Sequence, residues 1–279
     1  DPSLVARAGD AGIPVYRTPV PTVQFMSSLR SFLTDQFAPQ GAVHGALVDV
    51  YGIGTFETYP SSDSSRYIKL FDLDDDVTVY KGLLRFVGWC NTITAFLKIG
   101  LIENNTQHDL TKTTYAEFMA KLIGESSQEN IKEKTAAKLN LDAKDDIIKR
   151  MEWLGLFTDE QIVTVKGTCS DVLVDKMLTK MTYAEGEKDM IIVHNEVIAE
   201  FEGRKERRIA SMLETGIPNG DSAMARAVSL PAAIAARLIL ENKITGLGVM
   251  MPNTHDRYTP ILEEMKSFGF DFRSTVLPL

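Results

Sequence analysis

The chain has 279 residues, and 38 Asp and Glu against 30 Lys and Arg give it a formal charge of −8. This acidity disfavours a nucleic-acid partner, because proteins that neutralise phosphates need clustered cations. Two cysteines are too few for a disulfide framework or a Cys-based zinc site, and they favour a reducing compartment. The nearly apolar stretch 230–240 is shorter than the about 20 residues that span a bilayer, so we expect a soluble protein with no membrane partner.

The first 20 residues have the pattern of a helix end, a glycine stop and a short strand. A helix leads into the next parallel strand of an α/β sheet in this way, so we interpret residues 1–20 as the remnant of an upstream α/β domain. A frayed surface tail is the alternative. Apolar residues at helical spacing then predict a helix over residues 22–37.

Residues 21–87 and 182–230 are predicted to form one sheet-rich domain. In its first part, runs of β-branched and aromatic residues end at turn residues, and a short amphipathic stretch precedes the last run. These patterns predict strands over 43–50, 54–59 and 77–86, with a helix over 64–71.

The second part of this domain is predicted to form an antiparallel meander. Turn-prone pairs near residues 195–196 and 203–204 separate three strand-like runs. The predicted strands cover residues 189–194, 197–202 and 207–214.

Between the two parts, residues 88–181 change to a helical pattern and form a predicted helical subdomain. Four apolar stripes at helical spacing indicate a packed core rather than a cofactor pocket. The stripes start at Trp89, Tyr115, Ile147 and Val174.

Residues 231–279 are predicted to form two helices and a final strand. The first helix, over 230–240, is expected to have Pro231 in its first turn, because proline suits the first turn of a helix. The second helix covers 257–268 and the strand covers 271–276. The fold class that follows is α/β with α+β character, in which a mixed sheet carries a largely helical insert.

The predicted strand 77–86 carries the first candidate binding residues. Side chains alternate along a strand, so Lys81, Leu83 and Arg85 lie on one side and Leu84 on the other. Two cations on an otherwise apolar strand can hold the carboxylates of a small ligand, and the planar fork of arginine suits that task. A solvated face or a structural ion pair is the alternative.

A polar turn lies between the second predicted strand and the helix 64–71. Asp63 or Ser64 has the residue type of a helix N-cap, which is the simpler interpretation. A strand that runs into a polar turn at a helix N-terminus is also a place where anions bind.

Other motifs predict no metal site and no nucleotide site. The four histidines lack the spacing of metal ligands, and Cys90 reads as a core residue. Residues 246–248 (GLG) lack the third glycine of a dinucleotide fingerprint, and no GxGxxG occurs in the chain.

Several segments together resemble the saccharopine dehydrogenases of the glutamate-forming type. The family has a YPNRDS motif followed by RGTLRYxG, and this chain has similar segments at the same spacing. Similarity to the family extends from about residue 54 to 265 and includes the dehydrogenase part of aminoadipic semialdehyde synthase. The matching segments are 57–64 (ETYPSSDS), 81–88 (KGLLRFVG), 152–156 (EWLGL), 183–190 (YAEGEKDM), 222–226 (SAMAR) and 244–248 (ITGLG).

This resemblance implies an enzyme of lysine metabolism that interconverts saccharopine with glutamate and 2-aminoadipate 6-semialdehyde, using NADP. In such enzymes a Rossmann domain binds NADP and a second domain binds saccharopine and forms the homodimer. The chain resembles the second domain and is expected to lack most of the first. Residues 231–279 could return to that cofactor domain. Single-function relatives imply a cytoplasmic protein, and fused relatives imply a mitochondrial one.

The resemblance also assigns expected site residues. Arg85 matches the family arginine that binds a saccharopine carboxylate, and Lys81 matches the preceding basic position. The family threonine of TLR is Leu83 here, beside Leu84, and the substrate-binding arginine of YPNRDS is Ser62. Arg66, one helical turn later, is a candidate replacement for that arginine. No catalytic residue is assigned.

Two other functions stay open at this point. The chain could be a non-catalytic regulatory or assembly module of the same fold, which the changes at Ser62 and Leu83 would allow. It could also belong to a dehydrogenase that acts on a different amino-acid conjugate.

Overall fold

The structure is a computed structural model that describes residues 45–61, 63–74 and 77–279. The predicted upstream remnant, the predicted helix 22–37 and Ser62 lie outside the described residues. The described chain mixes helices with small antiparallel sheets, which confirms the α/β class. The strands form three separate sheets there instead of one mixed sheet.

The first sheet is built from β1 (Ala46–Val50), β2 (Gly54–Pro60) and β3 (Gly82–Arg85). A tight turn at Gly52, which has a φ of +74°, joins β1 to β2, and both neighbouring pairs are antiparallel. A one-and-a-half-turn helix, α1 (Arg66–Leu70), lies between β2 and β3 in the chain. This sheet carries the predicted binding residues.

The predicted strand 77–86 is wrong in its first half. The backbone N–H of Val77 donates to the Asp74 carbonyl in a turn, and that of Lys81 donates to the Ser64 hydroxyl at 2.9 Å. Because these two donors are bonded to Asp74 and Ser64, they are not available for ladder pairing. The regular strand therefore begins only at Gly82.

Five helices and a two-stranded ribbon follow, and they share one core. They are α2 (Trp89–Lys98), α3 (Tyr115–Ile123), α4 (Ile131–Leu139), α5 (Asp146–Leu154) and α6 (Cys169–Lys180), with β4 (His108–Asp109) and β5 (Lys166–Gly167). Capping boxes define two helix starts, Thr114 with Glu117 and Thr168 with Asp171. Fully buried members of the core are Leu101, Met119, Ile148, Met151, Leu156 and Val172.

Lys176 is a charged side chain inside this core, with a relative exposure of 1%. Its ammonium group forms an ion pair with Glu160 and lies 4.3 Å from the centre of the Tyr115 ring. The α5 C-cap, Gly155, has a φ of +89°, and a Cβ there would lie 2.8 Å from Cε of Lys176. The absence of a side chain at Gly155 therefore makes room for Lys176.

We expect Gly155→Ala to destabilise the protein more than Gly124→Ala. Gly124 is the α3 C-cap with a φ of +84°, and a Cβ there would meet nothing within 4 Å. The left-handed backbone costs each alanine about 1–2 kcal/mol, and the contact with Lys176 should add about 1–3 kcal/mol for overpacking. Urea unfolding of both variants measures the difference, and equal losses would contradict the packing role of Gly155.

The C-terminal part contains the third sheet and two helices. The sheet order is β6 (Met190–Phe201), β7 (Arg204–Thr215) and β8 (Arg273–Pro278), all antiparallel. The helices are α7 (Ala223–Leu240) and α8 (His255–Ser267). The residues buried between the sheet and the helices are Ile191, Met212, Ala223, Ile234, Leu238, Ile261, Met265 and Phe270.

The predicted meander is wrong at its first turn. Asn195 and Glu196 lie inside β6, opposite Ala210 and Ile209 of β7. Glu196 also accepts a 2.7 Å hydrogen bond from Arg207, which holds the hairpin together at this point. The second predicted turn is confirmed, since the hairpin turns at Gly203 with a φ of +75°.

The predicted start of the first C-terminal helix is also wrong. α7 begins at Ala223, and the Ser222 hydroxyl accepts a hydrogen bond from the Ala225 N–H. Pro231 therefore lies inside the helix rather than in its first turn. The cap at Ser222 sets the helix start. The stabilisation from the hydrogen bonds at this end exceeds the cost of the one backbone hydrogen bond that Pro231 cannot donate.

α7 is long and apolar enough to cross a membrane by length and composition, and only 17% of it is buried. Two ion pairs connect it to the rest of the described chain. Arg226 lies 3.6 Å from Glu214 of β7, and Arg237 pairs with Glu241 and with Glu264 of α8. Such polar contacts suit a helix that packs on a protein sheet, so the absence of a membrane partner stays our prediction.

Candidate functional site

Three of the predicted site residues lie on one face of the first sheet. In the register of β2 and β3, Tyr59 is opposite Leu83 and Glu57 is opposite Arg85. The Ser61 N–H donates to the Lys81 carbonyl at 3.2 Å, which extends the pairing by one residue. Lys81, Leu83 and Arg85 therefore point to the same side, as the alternation predicts.

Arg85 is half-buried between two aromatic rings. Its guanidinium carbon lies 5.9 Å from the centre of the Tyr59 ring and 5.4 Å from that of Trp89. One guanidinium N–H donates to the Leu84 carbonyl at 3.0 Å. Arg85 forms no ion pair with any carboxylate in the part of the chain that the structure describes. A held, unpaired guanidinium of this kind is suited to a carboxylate ligand.

The nearest carboxylate in the register, Glu57, is engaged elsewhere. Its two oxygens accept 2.8 Å hydrogen bonds from the backbone N–H groups of Gly88 and Cys90, at the start of α2. Burial raises the pKa of Glu57, but these bonds and the charge of Arg150 hold it below its ordinary value. The Glu57 carboxylate thus stabilises the N-terminus of α2 and does not pair with Arg85, which remains available for a ligand carboxylate.

Cys90 is confirmed as a core residue. It is 2% exposed, and burial, together with the Glu57 carboxylate, raises the pKa of its thiol to about 11. A thiol in this environment is a poor nucleophile.

Lys81 and Arg66 form a second cationic group around Tyr67. The Tyr67 hydroxyl oxygen accepts hydrogen bonds from Lys81 Nζ at 3.1 Å and from Arg66 Nη2 at 3.2 Å. These two bonds lower the pKa of Tyr67, with Lys81 the larger cause. Neither cation forms an ion pair within residues 45–61, 63–74 and 77–279. Both are exposed, so a ligand can reach them.

The prediction that Asp63 or Ser64 is the helix N-cap is wrong by one or two residues. The N-cap of α1 is Ser65. Asp63 instead accepts hydrogen bonds from the backbone N–H and the hydroxyl of Ser65, each at 2.9 Å. This Asx-type turn, together with the bond from Lys81 N–H to Ser64, holds the polar turn against β3.

Three aromatic residues of the site were not predicted as site residues from the sequence. Tyr59 and Trp89 contact Arg85, and Tyr67 contacts both Lys81 and Arg66. Tyr59 could have been found, because it lies at the same alternation as Arg85 on the neighbouring strand. Leu83, which is 41% exposed, and Leu84 have no polar side chain for a ligand, and Leu84 contributes only its carbonyl to Arg85.

An apolar cavity of about 570 Å³ lies between α7 and α8, and its lining includes none of the predicted site residues. Arg257 is the charged residue of its lining. The loop beside the cavity contacts α1, since the Asn253 amide donates to the Leu70 carbonyl at 3.2 Å. The C-terminal loop therefore lies beside the helix that carries Arg66.

The glycine loop 246–248 does not form a dinucleotide fingerprint. Gly246 and Gly248 lie in the loop between α7 and α8, where no strand precedes them and no helix starts directly after them. A dinucleotide fingerprint needs a strand, a glycine turn and a helix N-terminus in succession.

Asp189 holds the start of α7. Its carboxylate accepts hydrogen bonds from the backbone N–H groups of Ala223 at 2.7 Å and Met224 at 2.8 Å. Burial raises the pKa of Asp189, but these bonds outweigh it and hold the pKa below its usual range. The segments 183–190 and 222–226, which the resemblance singled out, are thus joined by one carboxylate.

We expect stability to fall at acid pH because of Asp189 and Glu57. Both have pKa values lowered by folding, so both stabilise the folded state above about pH 4, the range of unfolded carboxyl groups. That contribution is lost as the pH falls through the folded pKa values. Urea unfolding at pH 7, 5 and 3.5 measures it, and an Asp189→Asn variant should lose less stability than the wild type between pH 5 and 3.5. An equal loss would contradict the role of Asp189.

Comparison with known proteins identifies relatives of this chain. Residues 26–270 match the family model described as the saccharopine dehydrogenase C-terminal domain. The chain is 34% identical over 221 residues to the mitochondrial alpha-aminoadipic semialdehyde synthase of Bos taurus, which covers 76% of this chain and 24% of that protein. It is 29% identical over 238 residues to the saccharopine dehydrogenase [NADP(+), L-glutamate-forming] of Schizosaccharomyces pombe, covering 82% and 53%.

A solved structure is also similar. The apo saccharopine dehydrogenase (L-Glu forming) of Saccharomyces cerevisiae matches with a TM-score of 0.74 and 26% identity, covering 84% of this chain and 54% of that one. A stretch of 58 residues, 21% of the chain, is 50% identical to the HPr kinase/phosphorylase of Chloroherpeton thalassium, of which it covers 17%. The chain spans about half the length of the fungal dehydrogenases and about a quarter of the bovine synthase. By the match over residues 26–270, the chain belongs to the saccharopine dehydrogenase C-terminal domain family.

Proposed function

We propose that this chain is the substrate-binding and dimerisation portion of an NADP-dependent saccharopine dehydrogenase. The parent enzyme would interconvert saccharopine with glutamate and 2-aminoadipate 6-semialdehyde in lysine metabolism. The observation that carries the proposal is the guanidinium of Arg85, which two aromatic rings hold without a carboxylate partner among the described residues. The fungal relatives are saccharopine dehydrogenases, which supports saccharopine as the substrate.

The charges of the site suit a substrate with three carboxylates. The chain carries a formal charge of −8, so its overall field repels such a ligand. Arg85, Lys81 and Arg66 reverse that field locally, and none of the three is neutralised by an ion pair in the described structure. Arg85 gives a bidentate fork for one carboxylate, and the Tyr67 group gives two exposed cations for another.

Arg66 is our proposed replacement for the arginine that the family has at position 62. It shares the Tyr67 hydroxyl with Lys81, so its charge lies beside the other predicted cation. An Arg66→Ala variant should therefore weaken binding, whereas Lys69→Ala, on the same short helix but with no bond to Tyr67, should not.

Isothermal calorimetry with saccharopine, glutamate and lysine tests the proposal. These ligands carry three, two and one carboxylates, so we expect the affinity to fall in that order as charge-assisted bonds are lost. Absence of heat with saccharopine on the folded chain would overturn the proposal and favour a non-catalytic module.

NADP would be bound by a part of the parent enzyme that lies outside the portion represented by this chain. Supporting this, the fungal relatives are about twice as long, and the glycine loop of this chain lacks the fingerprint geometry. NADP should therefore give no heat when titrated into the chain alone. Binding with a micromolar dissociation constant would contradict this assignment.

We also propose a homodimer that forms through the outer part of the β6–β7 hairpin. Val193, Val197, Phe201 and Val276 alternate onto one face of this sheet and are each at least 38% exposed. Val197→Glu should shift the protein to monomer in sedimentation velocity. Val163→Glu, at an 87% exposed valine outside the sheet, is the control and should not. A wild-type monomer would overturn the proposal.

The proposed compartment is the cytoplasm, with the mitochondrion as the alternative. Both cysteines are free thiols, which suits a reducing compartment. The bovine relative is mitochondrial by its name, so a parent of that type would be placed there.

A further inference from the structure

Three side chains of the helical part form a cluster that the sequence analysis did not foresee. Glu103, His108 and Cys169 each offer one ligand atom, and these atoms lie within 4.8 Å of one another. The Cys169 sulfur is 3.5 Å from His108 Nε2. The cluster is separate from the cationic site on the first sheet, and the proposed function does not use it.

Backbone bonds from three segments hold the cluster in place. β4 pairs with β5, so that His108 lies opposite Gly167, two residues before Cys169. The Ser170 N–H donates to the Glu103 carbonyl at 3.1 Å, which ties the loop that follows α2 to the start of α6. The capping box of Thr168 and Asp171 then sets Cys169 in the first turn of α6.

The side chains are oriented as well as placed. The His108 ring packs edge-on against Phe118, with 6.2 Å between ring centres. Glu103 accepts hydrogen bonds from the backbone N–H groups of Asn105 and Thr106, which directs its carboxylate within the loop. A carboxylate has lone pairs beyond these bonds, so it can still bind a cation.

The spacing between the Cys169 sulfur and His108 Nε2 agrees with the geometry of a tetrahedral zinc ion. Zn–S and Zn–N bonds of about 2.3 and 2.0–2.1 Å at a tetrahedral angle separate sulfur and nitrogen by about 3.6 Å. The observed distance from the Cys169 sulfur to His108 Nε2 is 3.5 Å. Thiolate, imidazole and carboxylate together form a ligand set that selects zinc-like ions over magnesium or calcium.

We propose that Glu103, His108 and Cys169 bind one Zn²⁺ ion. Water would complete the coordination, because three protein ligands leave one tetrahedral position open. Glu103 and His108 are half-exposed and admit the ion, while Cys169, at 2% exposed, forms the floor of the site. The ion would fasten the loop 103–108 to the start of α6.

A nucleophilic Cys–His pair is the competing interpretation, and the structure disfavours it. Cys169 is buried at 2% exposure, so no substrate can reach its sulfur. Reactive cysteines are partly exposed in positive surroundings, whereas Glu103 places a negative charge beside this one.

Titration of the chelator-treated chain with Zn²⁺ and Co²⁺ tests the site. We expect one ion per chain by native mass spectrometry, a thiolate-to-cobalt charge-transfer band in the near ultraviolet, and a higher unfolding temperature with Zn²⁺. Cys169→Ala should remove the band. Cys90→Ala, at the other buried cysteine, is the matched control and should keep it.

Glu103→Gln is a second test in case Cys169→Ala folds poorly. The Glu103 side chain is half-exposed, so its replacement should not disturb the fold. Changes to residues that support a metal ligand weaken metal binding about 10- to 100-fold, so Glu103→Gln, which alters a ligand itself, should weaken zinc binding by more than that. The charge-transfer band should persist in this variant at high cobalt concentration, because Cys169 is still present. No band in the wild type, or a band that remains in Cys169→Ala, would overturn the proposal.

Discussion

Replacing Arg85 with alanine is expected to weaken saccharopine binding by about 10- to 100-fold, because a charge-assisted hydrogen bond contributes about 1.5–3 kcal/mol. The guanidinium is already held by Tyr59, Trp89 and the Leu84 carbonyl, so little ordering entropy opposes binding. Its removal should leave stability nearly unchanged, since no carboxylate of the described chain depends on it. Calorimetric titration of saccharopine, beside a urea unfolding curve, measures both effects.

Two further variants sharpen this test. Arg85→Lys keeps the charge but lacks the planar fork, so it should recover only part of the affinity. Arg273→Ala removes an exposed arginine of β8 that forms no ion pair in the described residues, and it should bind saccharopine like the wild type. Equal affinity of Arg85→Ala and Arg273→Ala would remove Arg85 from the binding site.

Asp189→Ala is expected to destabilise the protein by about 2–3 kcal/mol. The change leaves the N–H groups of Ala223 and Met224 without partners, and Ala223 is fully buried. It also removes a negative charge from the positive end of an 18-residue helix. Urea unfolding at pH 7 measures the loss.

Asp63→Ala provides the matched control for Asp189. Asp63 also accepts two hydrogen bonds, both from Ser65, but it is exposed and water can replace it. We expect little change in the unfolding midpoint. Similar losses for the two variants would show that Asp189 does not act through the buried helix terminus.

The helices were the most predictable elements, because their stripes are long and regular. The stripes that start at Trp89 and Tyr115 correspond to helices that begin at those residues. Errors occurred where a distant or local side chain decides a boundary. The bond from Lys81 N–H to Ser64 shortens β3, and the Asp189 carboxylate, 34 residues away, supports the start of α7.

The candidate site was predictable in its cations but not in its environment. Alternation correctly placed Arg85 and Lys81 on one side, since the period of a strand is fixed. The lack of an ion pair at Arg85 depends on Glu57 being bonded to a helix end 31 residues away, and spacing carries no such information. The cluster of Glu103, His108 and Cys169 was missed for the same reason, because its members are 5 and 61 residues apart.

The most direct measurement of saccharopine binding uses Trp89 as a reporter. The chain has two tryptophans, so Trp153→Phe leaves Trp89, 5.4 Å from the Arg85 guanidinium, as the single tryptophan. Trp153 is 58% exposed on α5, and its replacement should not disturb the fold. We predict a saturable change in Trp89 emission as saccharopine is added, with a midpoint at about 10- to 100-fold higher saccharopine concentration when Arg85→Ala is introduced as well. Unchanged emission at saturating saccharopine would contradict the assignment of this site.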